Sequence, residues 1–371
     1  MSGSTPGAER TPALVVGGGL AGLYAAWQMQ SEGQPCLLLE AAPRLGGRIF
    51  SQPIAPGSKL GVDLGPMWFW PHQHRMQSLC RELGVRTFEQ PVAGDVLYQQ
   101  AAGRPPQRHA GAGAMLSHRV EGGMQSLVTA LAEGLDAGQI RLGHEVDSMT
   151  RDGNGSWQLA ASCNGKARHF EAPRLVFAAP PRQLAPLVAG QPWLPPGLHE
   201  ALRATPTWMA AQAKFVAVYD SAFWRQSGLA GQAFSRVGPM VEVHDASSTP
   251  DAGHGLFGFV GVTASQRRQL GPAVLKAACL AQLVDLFGNA AAAPLSTHLQ
   301  DWACEPAIAT QQDVSEAPRH PDLYLAPWLV ELRHLKLDLA GSEFAAQDAG
   351  YLEGALCAVD TLREAVSPRP A

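Results

Sequence analysis

Charge is scarce in this chain of 371 residues: Asp, Glu, Lys and Arg make up 16% of it, against roughly 25% in an average globular protein. The 28 basic and 32 acidic residues leave a net charge of −4 with no basic block, which excludes nucleic acid as an expected partner. Lysine is rarest among the cations, five residues against 23 arginines. The six cysteines (36, 80, 163, 279, 304, 357) stand singly and form no CxxC. That excludes a disulfide framework and a zinc ribbon, and the expectation is reduced thiols in a cytoplasmic protein. There is no G-x-S-x-G elbow. His72-Gln-His74 lacks a cysteine or carboxylate at ligand spacing, so no metal is expected.

What is present is apolar and rich in turns. Apolar residues are 46% of the chain, with 39 glycines and 29 prolines, enough to build a large core and to exclude disorder. The length suits two domains at roughly 150 residues each. Residues 11–31 carry no charge and follow Arg10, as a signal peptide or membrane span would. The glycine triplet 17–19 weakens a spanning helix, and no membrane segment is expected.

The same stretch has a second reading. Ala13-Leu-Val-Val-Gly17 is a short buried strand, Leu20 to about Ser31 a helix ended by Gly33, and Cys36-Leu-Leu-Leu-Glu40 a second strand. Between them lies GxGxxG at Gly17, Gly19 and Gly22. Gly17 permits the tight turn, Gly19 lets backbone approach a pyrophosphate, and Gly22 lets helix and strand pack closely. The helix N-terminus offers free N–H groups to phosphates, and Glu40 accepts from ribose hydroxyls. The unit is expected to bind a dinucleotide.

Arg44-Leu-Gly-Gly-Arg48 follows at once, then Val62-Asp-Leu-Gly-Pro-Met-Trp68. A double glycine lets backbone lie against a ligand, and Arg48 has the geometry to pair with phosphate. At the other end, Leu337-Asp-Leu-Ala-Gly341-Ser-Glu343 reads as a strand entering a turn. Gly350-Tyr-Leu-Glu-Gly354 then opens a helix with Leu352, Ala355, Leu356, Val359, Leu362 and Val366 on one face. With these motifs the chain resembles the flavin-containing amine oxidase family of monoamine and polyamine oxidases, strongly at both ends and thinly in the centre.

The resemblance implies an α/β fold: an FAD-binding Rossmann-like (GxGxxG) domain from residues 11–75, 119–182 and 317–371, and a second α+β substrate domain from 76–118 and 183–316. It implies that FAD lies against Gly17, Gly19, Leu20, Ala21, Gly22, Glu40, Ala41, Arg44, Gly46, Gly47, Arg48, Gly65, Pro66, Met67 and Trp68. Val146 would touch the adenosine, Glu343 the ribityl chain, and the helix end at Tyr351–Leu352 the N1–C2=O edge. Lys214, in the apolar strand Ala213–Val218, stands where the family holds a water against flavin N5. Tyr351 matches one of two aromatic rings flanking the substrate nitrogen, and Trp302 matches a family tryptophan. Trp68 is a candidate pocket wall.

The chain departs from the family twice. Where the second ring should fall it reads Thr310-Gln-Gln-Asp313, so the cage is either incomplete or completed elsewhere, by Trp68, Trp70 or Trp328; the tethering cysteine is also missing, and FAD is expected to be noncovalent. Only about 45 residues separate Arg75 from Glu121, which predicts a small cap, with an Ala-, Gly- and Pro-rich mobile loop over 101–114. The implied reaction oxidises an amine or amino acid to an imine, with dioxygen as acceptor. Two other readings stay open: a renalase-like oxidase of reduced nicotinamides or a desaturase, and a non-catalytic flavoprotein. Arg203 and Arg225 are candidates to bind a substrate carboxylate.

Overall fold

A computed structural model of the chain describes residues 7–111 and 116–364. Val366 and part of the 101–114 loop lie outside them. The apolar strand predicted before the glycine loop is observed as Leu14–Val16, fully buried, with the helix at Leu20–Ser31 and the second strand at Leu37–Leu39. These strands sit inside a five-stranded sheet in the order Ile140–Arg141, Leu37–Leu39, Leu14–Val16, Leu175–Phe177, Leu337–Leu339. Every pairing in it is parallel. Strands buried on both faces need no polar alternation, which is why Leu-Val-Val, Leu-Leu-Leu and Leu-Val-Phe are uniformly apolar. Three distant chain segments therefore meet in one sheet.

A four-stranded sheet covers this unit on one side. Its hairpin strands Glu145–Arg151, Trp157–Cys163 and Lys166–Ala172 turn at Asp152–Gly155 and Asn164-Gly165, as the turn residues predict. The stretch predicted as one strand from Ile140 to Met149 divides at Leu142–His144, because Ile140–Arg141 pairs with the parallel sheet and Glu145–Arg151 with the hairpin.

A seven-stranded sheet forms the second unit, with Ala213–Val218 between Ser296–Asp301 and Gly255–Val260. Side chains alternate along Ala213–Val218. Ala213, Phe215 and Ala217 enter the core beneath the helix Pro272–Phe287, while Val216 and Val218 face Val62, Leu64 and Met67 of the first unit. Lys214 shares that second parity.

Two segments that the sequence assigns to the substrate unit pack elsewhere. The helix His74–Glu82 buries Met76, Leu79 and Cys80 in the core of the helix Leu20–Ser31. Pro181–Val188 and Leu198–Ala204 bury Leu184, Val188, Leu198 and Leu202 against the parallel sheet. Sequence could not reveal this, since an amphipathic helix does not name the face that covers it. Among the described residues no single helix is long and apolar enough to cross a membrane.

Candidate active site

A single cavity of ≈ 320 Å³ runs from the glycine loop to the Ala213–Val218 strand. At its nucleotide end the backbone is dictated by glycine. Gly17 has φ +106°, and a Cβ on Gly22 would lie 1.9 Å from the Gly17 carbonyl oxygen, so the helix can start there only on glycine. The helix has no side-chain cap at Gly19, and Leu20 and Ala21 of its first turn line the cavity. Uncapped N–H groups at a helix N-terminus suit a pyrophosphate.

Glu40 accepts from the Gly18 and Ala42 amides at 2.6 and 2.7 Å. The Ala41 amide acts on the same carboxylate more weakly, and the acceptor capacity that remains suits a ribose hydroxyl. Burial raises its pKa, while those amides and Arg44 oppose the rise.

The Arg44–Arg48 loop is built differently from the sequence expectation. Arg44 donates to the carbonyls of Leu45, Ile49 and Gly47 and so clamps the double glycine. The bidentate partner of Arg48 is Glu343, at 2.6 and 2.9 Å, not a phosphate. Its other two η-donors reach the Trp208 carbonyl and Ser342 Oγ. Glu343 is fully buried and also accepts from the Trp208 amide and Ser342 Oγ. All four of its lone-pair sites are thereby filled, which leaves no acceptor for a ribityl hydroxyl. Burial pushes this carboxyl upward, but the Arg48 charge and the hydrogen bonds outweigh it and hold its pKa below the usual range.

Lys214 is 3% exposed. Its Nζ donates to the Gly65 carbonyl at 3.0 Å and lies 3.9 Å from the centre of the Phe257 ring. Burial draws its pKa down to about 7; Asp63 pulls it up and Arg119 pushes it further down. Trp302 donates from Nε1 to the Leu64 carbonyl at 3.0 Å. Lys214 and Trp302 therefore hold neighbouring carbonyls of the Val62–Trp68 segment, and both line the cavity.

The aromatic wall is richer than the sequence indicated. Tyr351 packs edge-on to Trp70 at 5.3 Å, and its hydroxyl lies 3.2 Å from His320 Nε2. His320 stacks on Trp208 at 3.6 Å. Trp68, Trp70 and Trp208 all line the cavity. Trp208 was missed because its partners are remote in sequence. Gly350 (φ +84°) faces it so closely that a Cβ would lie 2.8 Å from the Trp208 Cβ, and no local pattern marks that contact.

Most of the sequence-predicted residues line this one cavity: Gly17, Gly19, Leu20, Ala21, Glu40, Arg44, Gly46, Gly47, Arg48, Gly65, Pro66, Met67, Trp68, Lys214, Trp302, Glu343, Tyr351 and Leu352. Gly22 serves helix packing behind it, and Ala42 takes the lining position beside Ala41. Val146 packs against the core of the parallel sheet, away from the cavity wall. Trp328 is also remote, its indole N–H bonded to the Pro196 carbonyl. Gln311 and Gln312 begin a short helix capped by Thr310 and lie off the cavity. Arg225 is committed to Asp245, Ser247 and the Pro250 carbonyl, and Arg203 is exposed outside the cavity. The described residues show no cluster of potential metal ligands, and no cysteine lines the cavity.

The glycine turns, the uncapped helix end and the buried carboxylate of Glu40 fit FAD. Comparison with known proteins agrees. The chain is 23% identical to a probable flavin-containing monoamine oxidase A of Dictyostelium discoideum, over 92% of this chain and 94% of the relative. It is likewise 23% identical to a putrescine oxidase of Kocuria rosea, over 97% and 96%. Among solved structures, cyclohexylamine oxidase from Brevibacterium oxydans superposes with a TM-score of 0.77 at 20% identity, covering 96% of this chain and 98% of that one. The family model for flavin containing amine oxidoreductase matches residues 20–117 and 106–358. The chain belongs to that family and is an FAD-dependent amine oxidoreductase.

Proposed function

We propose that the chain oxidises the C–N bond of an amine lacking a carboxylate to an imine, which water then hydrolyses, with dioxygen as the final acceptor. The observation that carries the substrate class is the state of the cavity's arginines. The η-donors of Arg48 are all held by protein acceptors, and Arg44 clamps three backbone carbonyls. Neither guanidinium is free of protein acceptors, so an α-carboxylate would have to compete for it, and the half-buried Glu305 on the same wall would repel it.

FAD, when bound, would supply the two-electron redox chemistry, as acceptor of the hydride equivalent from the amine and as donor to dioxygen, which becomes hydrogen peroxide. The residues that would hold it, all on the cavity wall, are Glu40 at the ribose, the Leu20–Ala21 helix end at the phosphates, and the Gly46-Gly47 and Gly65–Trp68 backbone. The rings of Trp68, Trp70, Trp208 and Tyr351 confine an apolar amine body and exclude water. Lys214 has a pKa about 7 and two N–H positions beyond the one given to Gly65. Near neutrality such an amine can hold a water and both give and take its proton, and that water serves imine hydrolysis.

The test is peroxide release from purified yellow protein over paired substrates: aliphatic and alicyclic amines against the matching α-amino acids. Turnover of the amines with amino acids inert is the expected result. Preference for the amino acids would overturn the substrate class. Anaerobic bleaching of the flavin by dihydronicotinamide and by no amine would overturn the reaction.

A further inference from the structure

The acid of the Val62–Trp68 segment has no role in the chemistry described so far, yet it is fully buried. Asp63 Oδ1 accepts from Ser51 Oγ at 2.5 Å and from the Met124 amide at 2.8 Å. Oδ2 is buried without a hydrogen bond and lies 3.8 Å from Arg119 Nη2. Arg119 is itself wholly buried. Its Nη1 and Nη2 reach only the Asp245 and Ala246 carbonyls, at 3.3 and 3.5 Å, and its Nε has no partner. An ion pair this long, with an orphaned atom on each side, is poorly compensated as a structural bridge. Two residues along from Asp63, the Gly65 carbonyl receives Lys214. The charges of Asp63 and Arg119 both act on that amine, in opposite directions.

We propose that Asp63 and Arg119 are positioning residues for Lys214: the Asp-x-Gly turn fixes the amine through Gly65 and sets its charge through the Asp63–Arg119 pair across the junction of the two units. This rests on the reading of Lys214 as a working amine. The other groups facing Lys214 are uncharged on its own sheet: Phe257 and Phe259 from one neighbouring strand, Gln300 from the other. The next strand carries His244, stacked on Phe257 and bonded to Glu242, and the cavity wall carries Glu305. Burial raises the pKa of Asp63 and lowers that of Arg119, and the charge of each opposes the other's shift; held as an ion pair, they are the groups whose charge reaches the amine. Removing the anion must lower the amine's pKa, and removing the cation must raise it.

The test uses the FAD-loaded enzyme and the pH profile of turnover. In Asp63→Asn the limb that disappears in Lys214→Met moves down by about one pH unit or more. In Arg119→Gln it moves up, and in Asp63→Glu it stays near the wild-type position. A second readout needs no turnover: the pH at which the unfolding midpoint begins to climb moves in the same two directions. If Asp63→Asn does not fold, Arg119→Gln carries the test alone and its limb must rise. Limbs that stay put, or that move together, overturn the proposal while leaving Lys214 in place. A limb that survives in Lys214→Met instead overturns the reading of Lys214 itself.

Discussion

Replacing Lys214 by Met removes a buried titratable amine and keeps most of its length and packing. In the folded protein the amine has a pKa of about 7, against an ordinary 10.5. At ~1.4 kcal/mol per pH unit, the protonated amine is destabilised in the fold by up to about 5 kcal/mol. The sign follows from linkage. Between pH 7 and 10.5 the unfolded chain binds the proton and the folded chain does not, so wild-type stability rises with pH across that window. Below pH 7 both states are protonated and the full penalty is present. Lys214→Met has no such group. Its advantage over wild type should be largest at pH 6–7 and should shrink by several kcal/mol by pH 10, over a constant term for the lost Gly65 hydrogen bond. Urea unfolding of both FAD-loaded proteins at five pH values between 6 and 10 measures the difference, in which titrations not coupled to Lys214 cancel. A difference that stays flat across the range refutes the argument, because the amine would then be solvated at its ordinary pKa.

Glu343→Gln breaks the bidentate pair with Arg48 and should cost about 3 kcal/mol, the low end for a buried pair, because Arg48 keeps 25% side-chain exposure; chemical unfolding reads it. Since the Glu343 pKa is depressed, the stability it confers is present above the ordinary carboxylate range and is lost as pH falls through its folded value, a decline that Glu343→Gln should lack. Gly22→Ala places a Cβ 1.9 Å from the Gly17 carbonyl oxygen. The glycine turn cannot form around it, so the variant should be isolated colourless, and an FAD absorbance at wild-type ratio would contradict this. Trp208→Ala removes the ring stacked on His320 but keeps the backbone bonds to Arg48 and Glu343. It should retain FAD and raise KM roughly tenfold with a smaller change in kcat, as steady-state peroxide kinetics would show.

The glycine unit was legible because each of its requirements is local. A positive φ at Gly17, an apolar run for a doubly buried strand and an acid at its end are set within about thirty residues. The position of Lys214 was legible for the same reason, since strand alternation places it with Val216 and Val218. The partners of these residues were not. Arg48 looked like a phosphate ligand because a guanidinium fits phosphate and carboxylate alike, and nothing near it announces Glu343, 295 positions away. The ring absent at Gln311–Gln312 could be traced along the chain, but the stacked pair Trp208 and His320 beside Tyr351 could not.

The sequence by itself determined the chemistry on offer: a nucleotide-binding turn, one lysine in an apolar strand and aromatic residues near both ends. Those follow from covalent geometry and from the period of each element. Only the tertiary structure decided which charges cancel. Whether a buried guanidinium is free for a substrate, or a buried amine is neutral at pH 7, depends on the distance to ions from other segments and on the water excluded between them.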